Sequence, residues 1–301
     1  MNILLTGGAG FIGTYTKELL KKEGHNVVIF DNFITGSREN IQFDDCLVEG
    51  DIREINQISN QYLKNIDTII HLAAQTSVPD SVKDPVYDMH INIEGTLNIL
   101  RFAKSNNVKR IIFASTAAVY GDNESLPIKE DEKLAPTSPY GISKMASEYY
   151  IETFCEQNNI DHIILRYANV YGPKQSEKGE GGVVKIFIEN ILSGLPLTIY
   201  GDGSQTRDFI YVEDIARAHL HALNAKSGTY NISSNTELSV NELYKTITKL
   251  MQMEISPHYK EEREGDIYRS SLDNSQYKEL TKWEPAFSIE EGLALTLKVM
   301  E

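Results

Sequence analysis

Short apolar runs alternate with longer segments of helical periodicity along the first half of the chain. The apolar runs of strand length are Ile3–Leu5, Val27–Phe30, Thr68–Leu72, Ile111–Ala114 and Ile163–Tyr167. Between them, segments such as 14–23 and 91–106 space their apolar residues three and four apart, which is typical of helices that cover a sheet. This alternation indicates βαβ units. It predicts an α/β fold with a doubly wound parallel sheet.

The pattern becomes less regular after Tyr171. A polar stretch with several glycines, 174–182, is typical of a domain boundary or of a loop over a substrate. The segments that follow are shorter and show no internal repeat. We therefore expect residues 1–170 to form the main sheet domain, to which later segments return. Residues 171–301 should form most of a second, smaller α/β substrate-binding domain.

A glycine-rich turn joins the first predicted strand to the first predicted helix. Residues 6–13 are Thr-Gly-Gly-Ala-Gly-Phe-Ile-Gly. Glycines at these positions allow a tight turn, close approach of a pyrophosphate to the backbone, and close packing of the helix on the strand. The amino end of the helix also carries a partial positive charge that attracts phosphates. The turn predicts a Rossmann-type dinucleotide site.

Two acidic residues follow later apolar runs. Asp31 comes directly after the second run, where a carboxylate can accept hydrogen bonds from the adenosine ribose and would repel a 2′-phosphate. Its position favours NAD over NADP. Asp51 also follows an apolar run and is placed to reach the adenine, although a single acid there is weak support.

A possible proton-transfer group lies near the middle of the chain. Ser138 and Pro139 have the residue types of a helix start. Tyr140 and Lys144 then share one helical face, and a cationic Lys144 would lower the pKa of the phenol from about 10 towards neutrality. Residues 115–116, Ser-Thr, end a strand where open α/β sheets bind ligands. Each element alone is common, so the prediction of Tyr140 as a general base rests on their combination.

Composition narrows the class of partner. The chain has 301 residues, of which 41% are apolar, and a formal net charge of −14. This charge disfavours nucleic acids and anionic membranes, which need a dominant basic surface. Cys46 and Cys155 are too few for a disulfide framework, and neither lies in a metal-ligand pattern. Without a signal sequence or a spanning apolar stretch, a soluble, cytoplasmic protein without a metal is expected.

Together these motifs resemble those of the extended short-chain dehydrogenases. The set is the glycine turn, Asp31, 51–52 (Asp-Ile), 71–74 (His-Leu-Ala-Ala), 92–96 (Asn-Ile-Glu-Gly-Thr), 115–121 (Ser-Thr-Ala-Ala-Val-Tyr-Gly) and the Tyr140/Lys144 pair. Its order and spacing extend over nearly the whole chain. The resemblance implies a Rossmann fold, bound NAD, and catalytic roles for Thr116, Tyr140 and Lys144.

The resemblance also implies the residues that contact the cofactor. They are Gly7, Gly10, Phe11, Ile12, Gly13, Asp31, Asn32, Asp51, Ile52, Leu72, Ala73, Ala74, Asn92, Ser115, Tyr140, Lys144 and Tyr167.

Later motifs resemble the nucleotide-sugar half of this family. They are 166–173 (Arg-Tyr-Ala-Asn-Val-Tyr-Gly-Pro), 197–203 (Leu-Thr-Ile-Tyr-Gly-Asp-Gly), 205–208 (Gln-Thr-Arg-Asp) and 263–266 (Arg-Glu-Gly-Asp). The implied substrate contacts are Thr116, Asn169, Val183, Thr198, Tyr200, Arg207, Arg263, Asp266 and Ser270. Asn169 and the two arginines would hold the diphosphate, since guanidinium forks suit phosphate oxygens. Thr198 and Tyr200 would flank the base, and Asp266 would bind the nucleoside.

The residues after Thr116 separate the reactions within the family. The 4,6-dehydratases carry an Asp-Glu pair there, and the decarboxylases that resemble them keep the Glu, whereas this chain has Ala117 and Ala118. Without that acid and base, elimination has no evident catalyst. The resemblance then implies 4-epimerisation of a UDP-hexose through a transient 4-keto sugar. Tyr140 would exchange the proton of the 4-hydroxyl, and NAD would be regenerated in each turnover.

Two departures leave the substrate open. Thr14-Tyr15 follow Gly13 where the family usually has Ser-His, and Ala168 stands where many 4-epimerases have an aromatic residue. The alternatives are epimerisation of a UDP-uronic acid and a non-catalytic NAD-binding protein on the same scaffold. The base is uracil, thymine or guanine. The family also implies a homodimer that packs through helices near 91–106 and 143–156.

Ser270 bears on the choice of sugar. In the resembling 4-epimerases, the fourth residue after the acid of the Arg-Glu-Gly-Asp motif borders the sugar C2 substituent, and a bulky Tyr there restricts the enzyme to glucose and galactose. The small side chain of Ser270 implies room for an N-acetyl group. The neighbouring Arg269 keeps the uronic-acid alternative open, since a guanidinium pairs well with a C6 carboxylate.

Overall fold

A computed structural model describes residues 1–175, 182–262 and 267–300 of the protein. The strands are β1 (Asn2–Thr6), β2 (Asn26–Asp31), β3 (Cys46–Glu49), β4 (Thr68–His71), β5 (Arg110–Thr116), β6 (Asp161–Tyr167), β7 (Asn169–Tyr171), β8 (Thr198–Tyr200), β9 (Thr206–Arg207), β10 (Phe209–Tyr211), β11 (Gly228–Ile232), β12 (Leu238–Ser239) and β13 (His258–Lys260). The helices are α1 (Phe11–Lys22), α2 (Val78–Lys83), α3 (Pro85–Met89), α4 (Gly95–Ser105), α5 (Pro139–Asn158), α6 (Val183–Leu192), α7 (Val212–Ala222), α8 (Val240–Leu250), α9 (Ser275–Thr281) and α10 (Ile289–Met300).

The central sheet has 7 strands in the order β11-β6-β5-β4-β1-β2-β3, and all of its strand pairs are parallel. The chain winds outwards in both directions from β1, so β1 and β4 flank the switch point where doubly wound folds bind ligands. The predicted fold class is confirmed. The predicted apolar runs are β1, β2, β4, β5 and β6, and β3 and β11 are added to them.

Helices cover both faces of this sheet. Leu5 and Ile112 pack on one face against α1 and α7, whereas their neighbours Leu4 and Ile111 pack on the other face against α4 and α5. Successive strand residues point to opposite faces. Because both faces are buried, the strands are apolar throughout and do not alternate with polar residues.

A third apolar cluster lies outside the central sheet. It joins Phe187 of α6, Ile199 of β8, Leu243 of α8 and Leu293 of α10, with two-stranded sheets formed by β7 and β10, β8 and β13, and β9 and β12. Strand β11 belongs to the later part of the chain but pairs with β6 in the central sheet. Within the described ranges, no helix combines the length and apolarity needed to cross a bilayer.

Local sequence signals set the helix starts. Ser138 caps α5 by accepting a hydrogen bond from the Gly141 N–H at 3.1 Å, as predicted. Helix α1 begins at Phe11 and not at the predicted residue 14, because Gly10 is its N-cap. The predicted helix over 91–106 begins as a π-helical turn, His90–Glu94, before α4.

Candidate active site

The turn between β1 and α1 is closed by backbone contacts that require glycine. A Cβ on Gly13 would lie 2.7 Å from the Cα of Gly8 and still closer to the carbonyl oxygen of Gly7. Gly10 is the N-cap of α1 and has no side chain to cap the first N–H groups. Residues 11–12 form the first helical turn and pack on apolar clusters. Helix α1 therefore presents an uncapped amino end, which suits an anion.

Asp31 lies beside this turn at the end of β2 and is buried. Its carboxylate oxygens accept hydrogen bonds from the Ala9 N–H at 2.9 Å and the Phe33 N–H at 2.8 Å. Burial raises the pKa of this carboxyl against the effect of the backbone donors. Each carboxylate oxygen can accept more than one hydrogen bond. Acceptor capacity therefore remains for ribose hydroxyls at the predicted place.

Asp51 lies next to Asn32, whose Nδ2 donates to it at 3.0 Å. Arg53 donates to the same carboxylate through Nε and Nη2, at 2.9 Å each. These bonds from Arg53 hold the pKa of Asp51 at about 2, so the carboxylate is ionised and fixed beside the end of β2. The side chain of Ile52 is buried against α4, where Gly95 leaves room for it.

The loop after β4 is tied to the glycine turn. Thr6 Oγ1 lies 2.7 Å from His71 Nδ1 and accepts a hydrogen bond from the Ala73 N–H at 3.2 Å. Residues 72–74, predicted to line the cofactor, therefore lie beside Gly7. Burial lowers the pKa of His71 to about 3, so its imidazole is neutral. Its two nitrogens lie within hydrogen-bond distance of Thr6 and Thr96 and link β1 to α4.

Asn92 is buried, and its amide is engaged within the protein. Its Oδ1 accepts from the Gln75 N–H at 2.9 Å, while Nδ2 donates to the Gln75 carbonyl at 3.0 Å and to Asp88 and Ser143 at 3.1 Å each. The side chain thus braces the loop after β4 against α3 and α5. Its predicted contact with the cofactor stays a prediction.

The two hydroxyls at the end of β5 point to opposite sides. Ser115 is 3% exposed and donates to the Glu148 carboxylate on α5. Thr116 is half-buried, and its Oγ1 accepts from the Ala118 N–H at 3.2 Å. This divergence follows from the period of two along a strand. Of the pair, Ser115 is tied to α5, and Thr116 caps the short turn that follows β5.

Helix α5 brings Tyr140 and Lys144 to this strand end. The helix starts close to the turn after Thr116, since a Cβ on Gly141 would lie 2.7 Å from the Ala118 carbonyl oxygen. Lys144 Nζ donates to the Ala114 carbonyl at 2.8 Å. Tyr140 is half-buried on the same helical face. The structure therefore brings all three predicted catalytic residues to the carboxyl end of β5.

Lys144 is buried but keeps much of its charge at neutral pH. Burial lowers its pKa to about 8, and the carboxylates of Asp88 and Glu148 oppose that decrease. A positive charge one turn from Tyr140 favours the phenolate. Because the charge is lost as the pH rises through about 8, this support for the phenolate weakens at alkaline pH.

Tyr167 ends β6, and its phenol is bonded to a histidine of α7. Its hydroxyl lies 2.5 Å from His219 Nε2 on α7, and His219 Nδ1 lies 2.8 Å from Thr16 Oγ1 on α1. Burial lowers the pKa of His219 to about 3. The neutral imidazole therefore joins β6 to two helices, and the predicted cofactor contact of Tyr167 stays a prediction.

The predicted substrate residues lie on the short strands and on α6. Asn169 is on β7, Thr198 and Tyr200 are on β8, Arg207 is on β9, and Val183 is the first residue of α6. Arg263 and Asp266 lie outside the described residues.

Asp208 is a residue to which sequence reasoning gave no role, although it closes the Gln-Thr-Arg-Asp motif. It is 1% exposed; Oδ1 accepts from the Ser234 N–H and hydroxyl at 2.9 and 2.8 Å, and Oδ2 accepts from the Leu272 N–H at 3.3 Å. Its own carbonyl accepts from the Asn169 N–H at 2.9 Å. Burial raises the pKa of Asp208 to about 6. Asp208 therefore holds the end of β9, which carries Arg207, against the segment that contains Ser270.

Arg269, next to the half-buried Ser270, is committed to an ion pair. Its Nε and Nη2 donate to the two oxygens of Glu237 at 2.9 and 2.7 Å. Thr206 Oγ1 donates to the same carboxylate at 2.7 Å. The Glu237 carboxylate therefore offsets the positive charge of this guanidinium.

The chain matches the model of the NAD dependent epimerase/dehydratase family over residues 3–233. The UDP-glucose 4-epimerase of Mycolicibacterium smegmatis is 35% identical over 99% of this chain and 98% of its own length. The structure of UDP-glucose 4-epimerase with UDP-glucose from Thermotoga maritima has a TM-score of 0.96 and 40% identity, covering 100% of this chain and 98% of that one. UDP-N-acetylglucosamine 4-epimerase from Methanobrevibacter ruminantium, in complex with UDP-N-acetylmuramic acid, has a TM-score of 0.93 and 36% identity, covering 99% and 97%.

The packing of the glycine turn yields a first prediction. Gly13→Ala would drive a Cβ into the backbone of Gly7 and Gly8, so we expect about 2–3 kcal/mol lower stability, as for an overpacked core. Bound dinucleotide should also be lost. Urea unfolding and the nucleotide released on denaturation measure both effects. Gly10→Ala is the control for stability, because its Cβ would meet nothing closer than 3.2 Å; equal stability of the two variants would contradict the packing argument.

Proposed function

The chain belongs to the NAD-dependent epimerase/dehydratase family, and from this premise we propose that it catalyses the 4-epimerisation of a UDP-hexose with bound NAD. The observation that carries the proposal is the meeting of Tyr140, Lys144 and Thr116 at the carboxyl end of β5. The glycine turn lies at the same edge of the sheet. Reversible oxidation of a sugar hydroxyl requires a proton acceptor beside a dinucleotide site.

The residues after Thr116 favour epimerisation over elimination. Ala117 and Ala118 form a short helical turn and offer neither an acid nor a base. Epimerisation at C4 needs only one group that removes the proton of the 4-hydroxyl and later returns it. Tyr140 meets that need.

The cofactor site fits NAD. The uncapped amino end of α1 suits the pyrophosphate, and Asp31 has acceptor capacity for the ribose while its charge disfavours a 2′-phosphate. When bound, the nicotinamide supplies reversible oxidation at C4 of the sugar. The overall reaction is redox-neutral, so tight retention of the cofactor is expected.

Residues of this chain carry out the proton transfer. Tyr140 removes it from the 4-hydroxyl, the Thr116 hydroxyl orients that group, and the Lys144 charge favours the phenolate. The 4-keto sugar then turns in the site, so that the other face of C4 meets the same residues. Tyr140 finally returns the proton to the epimeric 4-hydroxyl.

We assign the nucleotide sugar to the smaller, later unit, which residues 171–301 mostly form. Asn169 and Arg207, together with Arg263, would hold the diphosphate. Thr198 and Tyr200 on β8 would flank the base, with Val183 at the start of α6 beside them. Asp266 is assigned to the nucleoside. The uridine nucleotides named for the relatives support uracil as the base.

The surroundings of Ser270 favour a neutral sugar. Its small side chain leaves room at C2, which supports UDP-N-acetylglucosamine and its C4 epimer beside UDP-glucose and UDP-galactose. The Glu237 carboxylate offsets the positive charge of Arg269, which a uronic acid would use. This contact weighs against the uronic-acid alternative.

We also propose a homodimer in the cytoplasm. Val82 on α2, Val86 on α3 and Tyr149 on α5 are exposed apolar side chains on helices that pack together. An apolar surface of this kind is typical of protein interfaces. Cys46 and Cys155 are free thiols, which fits a reducing compartment.

The cofactor can be tested directly. Protein purified and then denatured without added cofactor should release NAD(H) and no NADP(H), because the Asp31 carboxylate disfavours the extra phosphate. Enzymatic cycling assays specific for each dinucleotide measure the release. Recovery of NADP(H) alone would contradict the role of Asp31.

Tyr140→Phe tests the proposed base. The variant keeps the ring but cannot exchange the proton, so kcat should fall by roughly two to four orders of magnitude, with little change in UDP-sugar binding. Tyr150→Phe is the matched control, since this tyrosine is exposed on the same helix. If Tyr140→Phe were as active as that control, another residue would have to be the general base.

Ser270→Tyr tests the choice of sugar. We expect the wild type to epimerise UDP-N-acetylglucosamine as well as UDP-glucose or better, and the variant to lose the N-acetyl substrate while keeping glucose. The measurement is kcat/KM for these sugars and for UDP-glucuronic acid. Ser275→Tyr, at an exposed position, controls for the added ring. An unchanged preference in Ser270→Tyr would show that Ser270 does not line the sugar pocket. A wild type active only on the uronic acid would contradict the proposed substrate.

A further inference from the structure

A buried ion pair lies one helical turn beyond Lys144. Arg166 of β6 and Glu148 of α5 have side chains only 6% and 2% exposed, and Nη2 lies 2.6 Å from Oε2. The Arg166 Nε also donates to Oε1 and Oε2 of Glu148 at 3.0 and 3.2 Å. Burying two charges is costly unless the geometry is good and further hydrogen bonds complete it.

Arg166 makes the further hydrogen bonds that a buried ion pair requires. Arg166 Nη1 donates to the Tyr120 hydroxyl at 2.8 Å and to the Glu130 carbonyl at 3.0 Å. Tyr120 in turn donates to Asn231 Oδ1 at 2.8 Å. The pair is therefore held from β6, from the loop after β5 and from β11, and its position is fixed on three sides.

The ion pair of Arg166 with Glu148 is also joined to β5, the strand that ends at Thr116. Ser115 of β5 donates to Glu148, and the preceding residue of β5, Ala114, accepts from Lys144. Two successive strand residues thus hold two successive turns of α5. Thr116 is the next residue of the strand, and Tyr140 is one turn before Lys144 on the helix.

We propose that Glu148 and Arg166, acting through Ser115, are positioning residues that set the height and rotation of α5 on β5 and so hold Tyr140 against Thr116. The inference rests on the proposed function, because it presupposes that Tyr140 and Thr116 act on one sugar hydroxyl. The ion pair is buried on the far side of Lys144 and is assigned no contact with the substrate. It acts on the reaction only through the placement of the helix.

A second arginine provides the comparison. Arg110 joins the opposite ends of β5 and β6, where Nη2 lies 2.9 Å from Asp161 and Nη1 donates to the carbonyls of Ala222 and Leu223. Arg110 therefore joins β5 to β6 directly at their amino ends, whereas Arg166 of β6 reaches β5 at the carboxyl end through Glu148 and Ser115. Only the link at the carboxyl end contacts α5.

The test is Arg166→Lys against Arg110→Lys. Lysine keeps the charge that Glu148 or Asp161 needs but loses the planar fork that fixes the geometry. For Arg166→Lys we expect kcat to fall about 100-fold, the loss typical of a misplacement near 1 Å, with KM and retained NAD within about threefold of wild type. Arg110→Lys should lower Tm less, because Asp161 is 56% exposed, and should leave kcat unchanged. Equal kcat in the two lysine variants would overturn the inference.

The Ser115→Ala variant is an independent test, because it leaves both buried charges in place. It removes the link from β5 to Glu148, so kcat should fall about tenfold at unchanged KM; an unchanged kcat would count against the inference even if Arg166→Lys did not fold. Tyr140→Phe separates the two proposals. If Tyr140→Phe is inactive while Arg166→Lys and Ser115→Ala are fully active, only the positioning role fails. If Tyr140→Phe remains active, the proposed function fails as well.

Discussion

The ammonium group of Lys144 is buried, and most of the candidate site is built around the need to keep it charged. Isolated charges are expensive away from water. Here the Ala114 carbonyl accepts a hydrogen bond from it, the Phe113 ring lies 4.7 Å below it, and the carboxylates of Asp88 and Glu148 raise its pKa against the effect of burial. These groups come from β5, α3 and α5, so the charge is kept in this buried position only when all three elements are in place.

Each of the two carboxylates is itself held by a separate polar network. Asp88 is bonded to Gln75 and Asn92, which fix the loop after β4. Glu148 is bonded to Ser115 and Arg166, which fix the end of β5. The electrostatic support of Lys144 and the placement of the loops that surround a dinucleotide are therefore the same set of contacts.

The parts of the site that sequence reasoning predicted are those encoded within a few residues. The glycine turn, the Ser138 cap and the Tyr140/Lys144 pair each depend on spacing along one segment. The direction of the Ser115 hydroxyl could not be predicted, because an apolar strand buried on both faces carries no alternation that marks its sides. The roles of Asp208 and of the Tyr167–His219 contact depend on residues far away in the chain, and only the assembled structure brings them together.

Asp208 shows how the segment that carries Ser270 is held in place. Its buried carboxylate fixes the backbone of Ser234 and Leu272, and its carbonyl fixes that of Asn169. The segment around Ser270 is thus held by these backbone contacts and by the ion pair of Arg269 with Glu237. In the proposed function, a larger side chain at Ser270 would reduce the volume beside the sugar C2. The proposed catalytic groups lie elsewhere, at the carboxyl end of β5 and at the start of α5. The two regions meet in the loop after β5, where the Ile128 N–H donates to the Ser271 carbonyl at 2.8 Å and the Ile128 carbonyl accepts from Asn231 at 2.9 Å. Asn231 also accepts from Tyr120, the partner of Arg166, so selection of the sugar and placement of α5 share a support.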